Sequence, residues 1–323
     1  MSYLRRLGNS MSIRIPSDDD GFTGRECPVP ECEGYFKVQF GTGLSGDGLP
    51  CHCPYCGHTA PQDQFWTKEQ IEYVKSVALR QVRDAIHKDL KRLEFDHKPR
   101  RGAFGIGISM KVKLGSPTPI RYYREKQLET EVVCAGCTLR YAVYGVFAFC
   151  PDCGQHNSLQ ILQKNLELAR KMLDMAATVD AELTRHLVEN ALEDCVSAFD
   201  GFGREVCRIR ADSATDAAAA ERLSFQNLAV ARERLLQLFG IDLASALAPD
   251  DWQATVAGFQ KRHILAHRMG VVDEEYIRRS GDREAVVGRK LKVRSDEVVL
   301  LLGWLDALGK DLHSGLRAQG VEG

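Results

Sequence analysis

Nine of the eleven cysteines fall in two clusters before residue 154, and their spacing constrains the fold more than any other feature. The second cluster pairs Cys134-Ala-Gly-Cys137 with Cys150-Pro-Asp-Cys153-Gly, twelve residues later. Two such knuckles bring four thiolates around one zinc ion, and the intervening LRYAVYGVFAF has the β-type composition of a hairpin. The glycine after Cys153 permits backbone amides to point at the sulfur. The first cluster is Cys27-Pro-Val-Pro-Glu-Cys32 followed by Cys51-His52-Cys53-Pro-Tyr-Cys56-Gly. Five cysteines and His52 compete there for four positions. The CPYCG knuckle favours Cys53 and Cys56 beside Cys27 and Cys32, with Cys51 as spare or alternative ligand. Two structural Zn2+ sites are therefore expected. Neither suits catalysis, because four thiolates leave no position for an activated water.

The rest of the chain decides the compartment and layout. The opening MSYLRRLGNSMSIRIPSDDDG lacks the apolar core of a secretion signal, and no apolar run approaches a membrane span. Clustered thiols then read as metal knuckles in a reducing, cytoplasmic setting. A formal net charge of −1 names no partner. The expected class is α+β and multidomain. Residues 1–24 form a polar tail, 25–62 a first zinc ribbon and 63–97 a connecting helix. Residues 98–157 carry a basic β segment and the second ribbon, and 158–323 form an all-α bundle. In the connecting helix Thr67 serves as N-cap with Gln70 three residues on, and Ile71, Val74, Val82, Ile86, Leu90 and Leu93 recur at helical spacing. FGIGISMKVKL and IRYYRE are short β-type runs between the clusters.

That inter-cluster segment is also the candidate nucleic-acid surface. Arg100, Arg101, Lys111, Lys113, Arg121 and Arg124, with Lys98 and Lys126, gather around Phe104, Tyr122 and Tyr123, against Glu125 as the lone acid. Cations that track phosphates beside rings that stack on bases suit RNA. A solvated charged face has the same composition.

The helical part contains FQKRHILAHRMG, residues 259–270. Trp252, Val256, Phe259, His263 and His267 follow spacings of four, three, four and four, which form one helical stripe. Both histidines continue an apolar face, and Arg262 lies beside it. A histidine near neutral pKa can move the 2′-hydroxyl proton of RNA or protonate the leaving oxygen. An arginine offers a fork of donors to the charged transition state. On spacing alone the better reading is a histidine satisfied in the core and an arginine snorkelling to the surface. Ile264 stands where a helical metalloprotease pair needs glutamate, and Cys195 and Cys207 read as packing residues. GAFGIG, residues 102–107, does not follow the strand-turn-helix pattern of a dinucleotide fingerprint.

Residues about 180 to 317 resemble the HEPN superfamily, whose motif is Arg, a polar residue, three variable residues and His, near the end of a late helix. Here it stands as Arg262-His263-Ile264-Leu265-Ala266-His267, followed by GVVDEEYI as in the RiboL-PSP-like branch. VENALEDCVSAFDGFGREVCR and LAVARERLLQLFG fit the preceding helices. The resemblance covers less than half the chain. It implies a homodimer whose two motifs meet in a cleft and cleave RNA without metal, leaving 2′,3′-cyclic phosphate ends. By position, His267 would be the acid/base, Arg262 would bind phosphate and His263 would assist orientation. A polar residue from the first bundle helix, Asn190, Glu193 or Asp194, would join them. Relatives act as toxins and in stress or phage defence, often restrained by a regulatory protein. Others only dimerise or bind, so the alternative is a non-catalytic, zinc-binding adaptor for nucleic acid or protein.

Overall fold

The computed structural model describes residues 3–8, 10–46, 48–97, 108–113, 115 and 118–319. The chain divides into two compact units, Met1–Gln155 and His156–Gly323. Small antiparallel sheets with the cysteine clusters make up the first, and the second is helical, so the class is α+β.

The first unit begins with the single turn α1 (Tyr3–Arg6), then β1 (Thr23–Glu26), β2 (Tyr35–Val38), β3 (Pro50–His52) and β4 (Thr59–Pro61). The long helix α2 (Lys68–Lys91) leads to β5 (Phe95–His97), β6 (Ile108–Met110), β7 (Thr130–Val133) and β8 (Arg140–Val143). The main sheet has the order β1-β2-β8-β7, antiparallel throughout. That order is palindromic: each cysteine cluster supplies a hairpin, and the two hairpins join at the centre, where Lys37 faces Ala142 and Val38 faces Tyr141. A second seam repeats the relation between the later knuckles. His52 N donates to the Pro151 carbonyl at 2.8 Å, and Phe149 N to the Pro54 carbonyl at 2.8 Å. The linear order of the modules does not reveal this fusion. Phe36, Phe65, Tyr141 and Val143 fill the core beneath the sheet.

The N-cap of α2 forms as its residues dictate. The Thr67 side chain accepts from Gln70 N, while Thr67 N donates back to Gln70 Oε1, a closed capping box. Its apolar periodicity identifies the helix but not a packing face. Leu79 and Leu93 are 61% and 59% exposed, and Ile71, Ile86 and Leu90 are exposed too. The contacts of α2 lie elsewhere. Tyr3 N and Leu4 N donate to the Asp89 carboxylate, Arg121 N donates to Ser76 Oγ, and Arg83 donates to the Gly115 carbonyl. Among the described residues of the two β-type runs, Ile108–Met110 pairs with β5. IRYYRE runs extended along α2, where Tyr122 and Tyr123 meet the Tyr73 ring.

In the second unit α3 (Ser158–Ala176), α4 (Ala181–Arg208) and α9 (Ser295–Gln319) pack together, and α7 (Pro249–Arg268) lies on α4 and α9. The shorter α5 (Ala217–Glu221), α6 (Leu228–Phe239) and α8 (Glu274–Ser280) complete it, α8 against α7. Apolar side chains of α4 form one broad buried face, from Val188, Ala191, Leu192 and Cys195 to Phe199, Phe202, Val206 and Cys207, and that face meets α3, α7 and α9. Cys195 and Cys207 are fully buried, and burial pushes each thiol up to about 12, so they are packing residues. A continuous helix through ERLSFQNLAVARERLLQLFG is expected from periodicity, yet it breaks between α5 and α6. Phe225 drops into the core there, its amide donating to buried Asp200 at 2.6 Å. Gly203 makes room: a β-carbon on it would lie 2.5 Å from the Phe225 ring.

Phe199 meets Phe202, Phe225 and Phe259 ring to ring. Phe199→Ala is expected to cost about 3–5 kcal/mol, as large aromatic deletions in cores do. Denaturant unfolding followed at the helical signal checks it, and a loss below 1 kcal/mol contradicts this packing.

Candidate functional site

Two constellations carry chemistry, one in each unit. In the first, Cys27, Cys32, Cys53 and Cys56 form one sulfur group and Cys134, Cys137, Cys150 and Cys153 another, with all ligand atoms of a group within 4.8 Å. Sγ–Sγ separations are 3.7 Å for Cys27–Cys56 and Cys32–Cys53, 3.6 Å for Cys134–Cys153 and 3.5 Å for Cys137–Cys150. A tetrahedral ion with metal–sulfur bonds of about 2.3 Å places its sulfurs about 3.8 Å apart, so each group fits such an ion.

The backbone explains why these sulfurs converge. After each second cysteine the chain turns left-handed, at Glu33 (φ 41°), Gly57 (72°), Thr138 (65°) and Gly154 (68°). In three knuckles that residue's amide donates to the first cysteine's carbonyl, from Gly57 to Cys53, Thr138 to Cys134 and Gly154 to Cys150. The first cysteine's own amide closes the turn onto His58, Leu139 or Gln155, at 2.8–2.9 Å. The longer Cys27–Cys32 knuckle makes the turn at Val29, whose carbonyl accepts from both Cys32 and Glu33. Amides also reach sulfur directly, Tyr55 N to Cys53 and Gly136 N to Cys134, each at 3.4 Å.

Burial pushes the Cys27 and Cys137 thiols up to about 11 and raises Cys53 and Cys150 as well. Burial also acts against ionisation of Cys56 and Cys134, but amide and thiol hydrogen bonds outweigh it and lower both. A bound metal must displace the protons, so affinity falls as pH falls.

Cys51 belongs to neither group. It lies in β3 opposite Ala60, and burial raises its thiol to about 12 despite the nearby Arg25 cation. His52 is turned to Thr59, Nδ1 to Oγ1 at 2.8 Å. Cys53 therefore takes the place that spacing left open.

Of the basic candidates, Lys111, Lys113, Arg121 and Arg124 are all exposed, and Arg121 is held by Glu72 at 2.7 Å. Lys98, Arg100, Arg101 and Phe104 lie outside the described residues. Tyr122 is 76% exposed. Glu125, the one acid of the segment, turns inward, accepting from Tyr35 Oη and from Gln70 Nε2. Its charge is thereby drawn away from the cationic surface.

The second constellation sits at the C-terminal end of α7. Phe259 is buried, yet His263 and His267 farther along its stripe are exposed, with ring centroids 4.8 Å apart. Arg262 is half-buried and its Nη2 donates to Ser197 Oγ on α4 at 3.4 Å. Its Nε is buried and has no acceptor among the described residues. Asn190, Glu193 and Asp194 are exposed on α4, and burial followed by Glu193 raises the Asp194 carboxyl. Among the described residues no hydrogen bond joins these three to Arg262; Ser197, seven residues after Asn190 and so on the same helical face, makes that contact.

Two further residues come from α8. Glu275 and Arg279 pair at 2.5 Å and act electrostatically on His263. Partial burial lowers the His263 pKa, and the charges of His267, Arg279 and Arg262 lower it further, against Glu275. GVVDEEYI covers the start of α8, but nothing in the sequence placed Glu275 and Arg279 near His263, because the bend from α7 that brings α8 back runs through left-handed Met269 and Gly270.

No family model, curated protein or solved structure matches this chain. Among the described residues, no helix is long and apolar enough to cross a membrane.

Cys53→Ser is expected to lower bound metal from two equivalents per chain to one, while Cys51→Ser leaves two. Elemental analysis decides, and equal loss in both variants would contradict the quartet. Arg279→Gln removes a cation near His263, so the NMR titration midpoint of that imidazole should move to higher pH. An unmoved or lowered midpoint contradicts the electrostatic coupling.

Proposed function

We propose that the protein is a metal-independent endoribonuclease of the HEPN type, working as a homodimer, with two structural zinc sites in its N-terminal unit. The observation that carries this reading is the end of α7. It holds two solvent-accessible imidazoles beside a guanidinium tied to α4 that keeps an unspent Nε donor. A bundle that used these residues only for packing would bury the rings and satisfy the arginine.

In this reading His267 removes the 2′-hydroxyl proton, and the oxygen attacks phosphorus. The bond to the 5′-oxygen breaks, and that oxygen takes a proton from the imidazolium of the second subunit. The products are a 2′,3′-cyclic phosphate and a 5′-hydroxyl. Arg262 neutralises the negative charge that accumulates on the phosphoryl oxygens, and His263 orients the group. One acid/base histidine per chain is the reason for two chains. Partial burial, and then the neighbouring cations, favour the neutral form of His263, which suits an acceptor of hydrogen bonds.

Zn2+ is the ion assigned to the sulfur quartets, because four thiolates at tetrahedral spacing select a thiophilic ion and close its shell. The zinc unit then has no share in bond breaking. Its exposed cations and Tyr122 supply an RNA surface. A cytoplasmic nuclease of this kind requires restraint, which a regulatory protein would provide in stress or phage defence.

The test uses wild type and His267→Ala, both shown to be folded and metal-loaded, on mixed RNAs in a brief assay with EDTA. Wild type is expected to leave 2′,3′-cyclic phosphate ends, and the variant to lose about 10²- to 10⁴-fold in rate. No cleavage by wild type, or equal cleavage by both, overturns the nuclease. RNA binding without cleavage would instead support a non-catalytic adaptor.

A further inference from the structure

The long helix α2 of the first unit leaves an apolar seam open to solvent. Leu79, Val82, Ile86 and Leu90 follow one another at spacings of three, four and four, and Leu93, in the turn that ends the helix, adds a further three. Such spacings keep all five on one side of a helix. Leu79, Ile86, Leu90 and Leu93 are exposed and Val82 is half-buried. The four residues on α2 line a recess of about 540 Å³, which they share with Val112 and Gly115.

The seam stands on a helix that is already fixed. Its capping box closes the start, Arg121 N donates to Ser76 Oγ at 3.0 Å, and Arg83 donates to the Gly115 carbonyl at 2.7 Å. A strict heptad from Leu79 would continue through Asp89, but that carboxylate accepts from Tyr3 N and Leu4 N, and Leu90 carries the seam on. A free helix pair about two heptads long is marginal in water. Folding of the unit has ordered α2 beforehand, so pairing it costs little conformational entropy.

The order of the side chains indicates what covers the seam. Spacings of three, four, four and three read the same in both directions, with Ile86 at the centre. A twofold axis at Ile86, relating two antiparallel copies, sets Leu79 against Leu93, Val82 against Leu90 and Ile86 against itself. An isologous interface needs a patch of this self-complementary kind. The same axis brings exposed Arg80 of each copy toward exposed Glu94 of the other, and neither forms an ion pair within its own chain among the described residues. An in-register parallel pair would instead bring Arg80 level with Arg80 and Glu94 level with Glu94. A lipid surface favours cations along both edges of such a seam, whereas Glu72, Asp89 and Glu94 stand here beside Arg80 and Arg83.

We propose that α2 is a self-association surface through which two copies of this chain pair antiparallel about Ile86. The interface belongs to the first unit and uses none of the residues at the end of α7. It therefore stands whether or not that end cleaves RNA.

The experiment uses full-length, metal-loaded chains that carry one added cysteine, a short bismaleimide cross-linker, and wild type as the background from native thiols. Ile86→Cys is expected to link to itself, while Asp84→Cys, exposed on the other side of α2, does not. Leu79→Cys and Leu93→Cys should each stay unlinked alone and link when mixed, because about 21 Å of helix separates the two positions. Leu90→Glu, a change at an exposed position, should lower the Ile86→Cys linked fraction at least tenfold, with circular dichroism showing that the chain stays folded. No link at Ile86→Cys above background overturns the proposal, as does equal linking at Asp84→Cys. Self-linking of Leu79→Cys or Leu93→Cys alone overturns the antiparallel register, and a link that Leu90→Glu leaves unchanged overturns the seam. Binding of anionic lipid vesicles that Leu90→Glu abolishes, with no Ile86→Cys link, assigns the seam to a membrane surface and overturns the proposal as well. The readout is a link at Ile86 and not RNA cleavage, so its failure leaves the nuclease reading untouched.

Discussion

The convergence of four sulfurs at each of two points is what the first unit depends on. Its strands are three or four residues long, and isolated ladders of that length do not persist in water. Each knuckle must also hold one residue in the left-handed region. Glycine meets that demand without steric cost at residues 57 and 154, but Glu33 and β-branched Thr138 do not. A metal held by these thiolates would supply the free energy that short strands and strained turns lack. The palindromic sheet extends this economy: β2 against β8 lets two small modules share one core around Phe36 and Tyr141.

The helical unit rests on a different constraint, the central position of α4. Because α4 packs against α3, α7 and α9, its side chains reach both the core and the end of α7. Phe199 sits in the middle of that packing, and Ser197, two residues earlier, meets Arg262. The same helix thus sets the register of α7 through ring packing and orients the guanidinium through a hydroxyl. The exposed end of α7 therefore begins one turn after Phe259 of the core.

Much of this was legible in residue order, for identifiable reasons. Ligand spacing is local, so Cys134, Cys137, Cys150 and Cys153 could be read directly, as could the capping box of Thr67 and Gln70. Cys51 and Cys53 differ in that Cys51 pairs with Ala60 inside the β3–β4 ladder, whereas Cys53 follows β3 and opens the knuckle turn closed by Gly57, and local spacing shows neither. Periodicity placed His263 and His267 on the stripe of Phe259 but could not show where α7 outruns its neighbours. The stripe is buried at Phe259 and open to solvent at both histidines. The same blindness applies to α2, whose apolar repeat is real and whose Leu79, Ile86 and Leu90 are nevertheless exposed. Non-local features were invisible: the fusion of the hairpins, and the return of α8 with Glu275 and Arg279.

The two units also divide the chemistry between them. A metal enclosed by four thiolates has no open coordination position, and the buried thiols that remain, Cys51, Cys195 and Cys207, are pushed far toward the protonated form. Sulfur in this protein therefore builds structure and offers no nucleophile. The two imidazoles that stand open near an arginine are on α7. α8 packs against α7, and its Glu275 and Arg279 act electrostatically on His263.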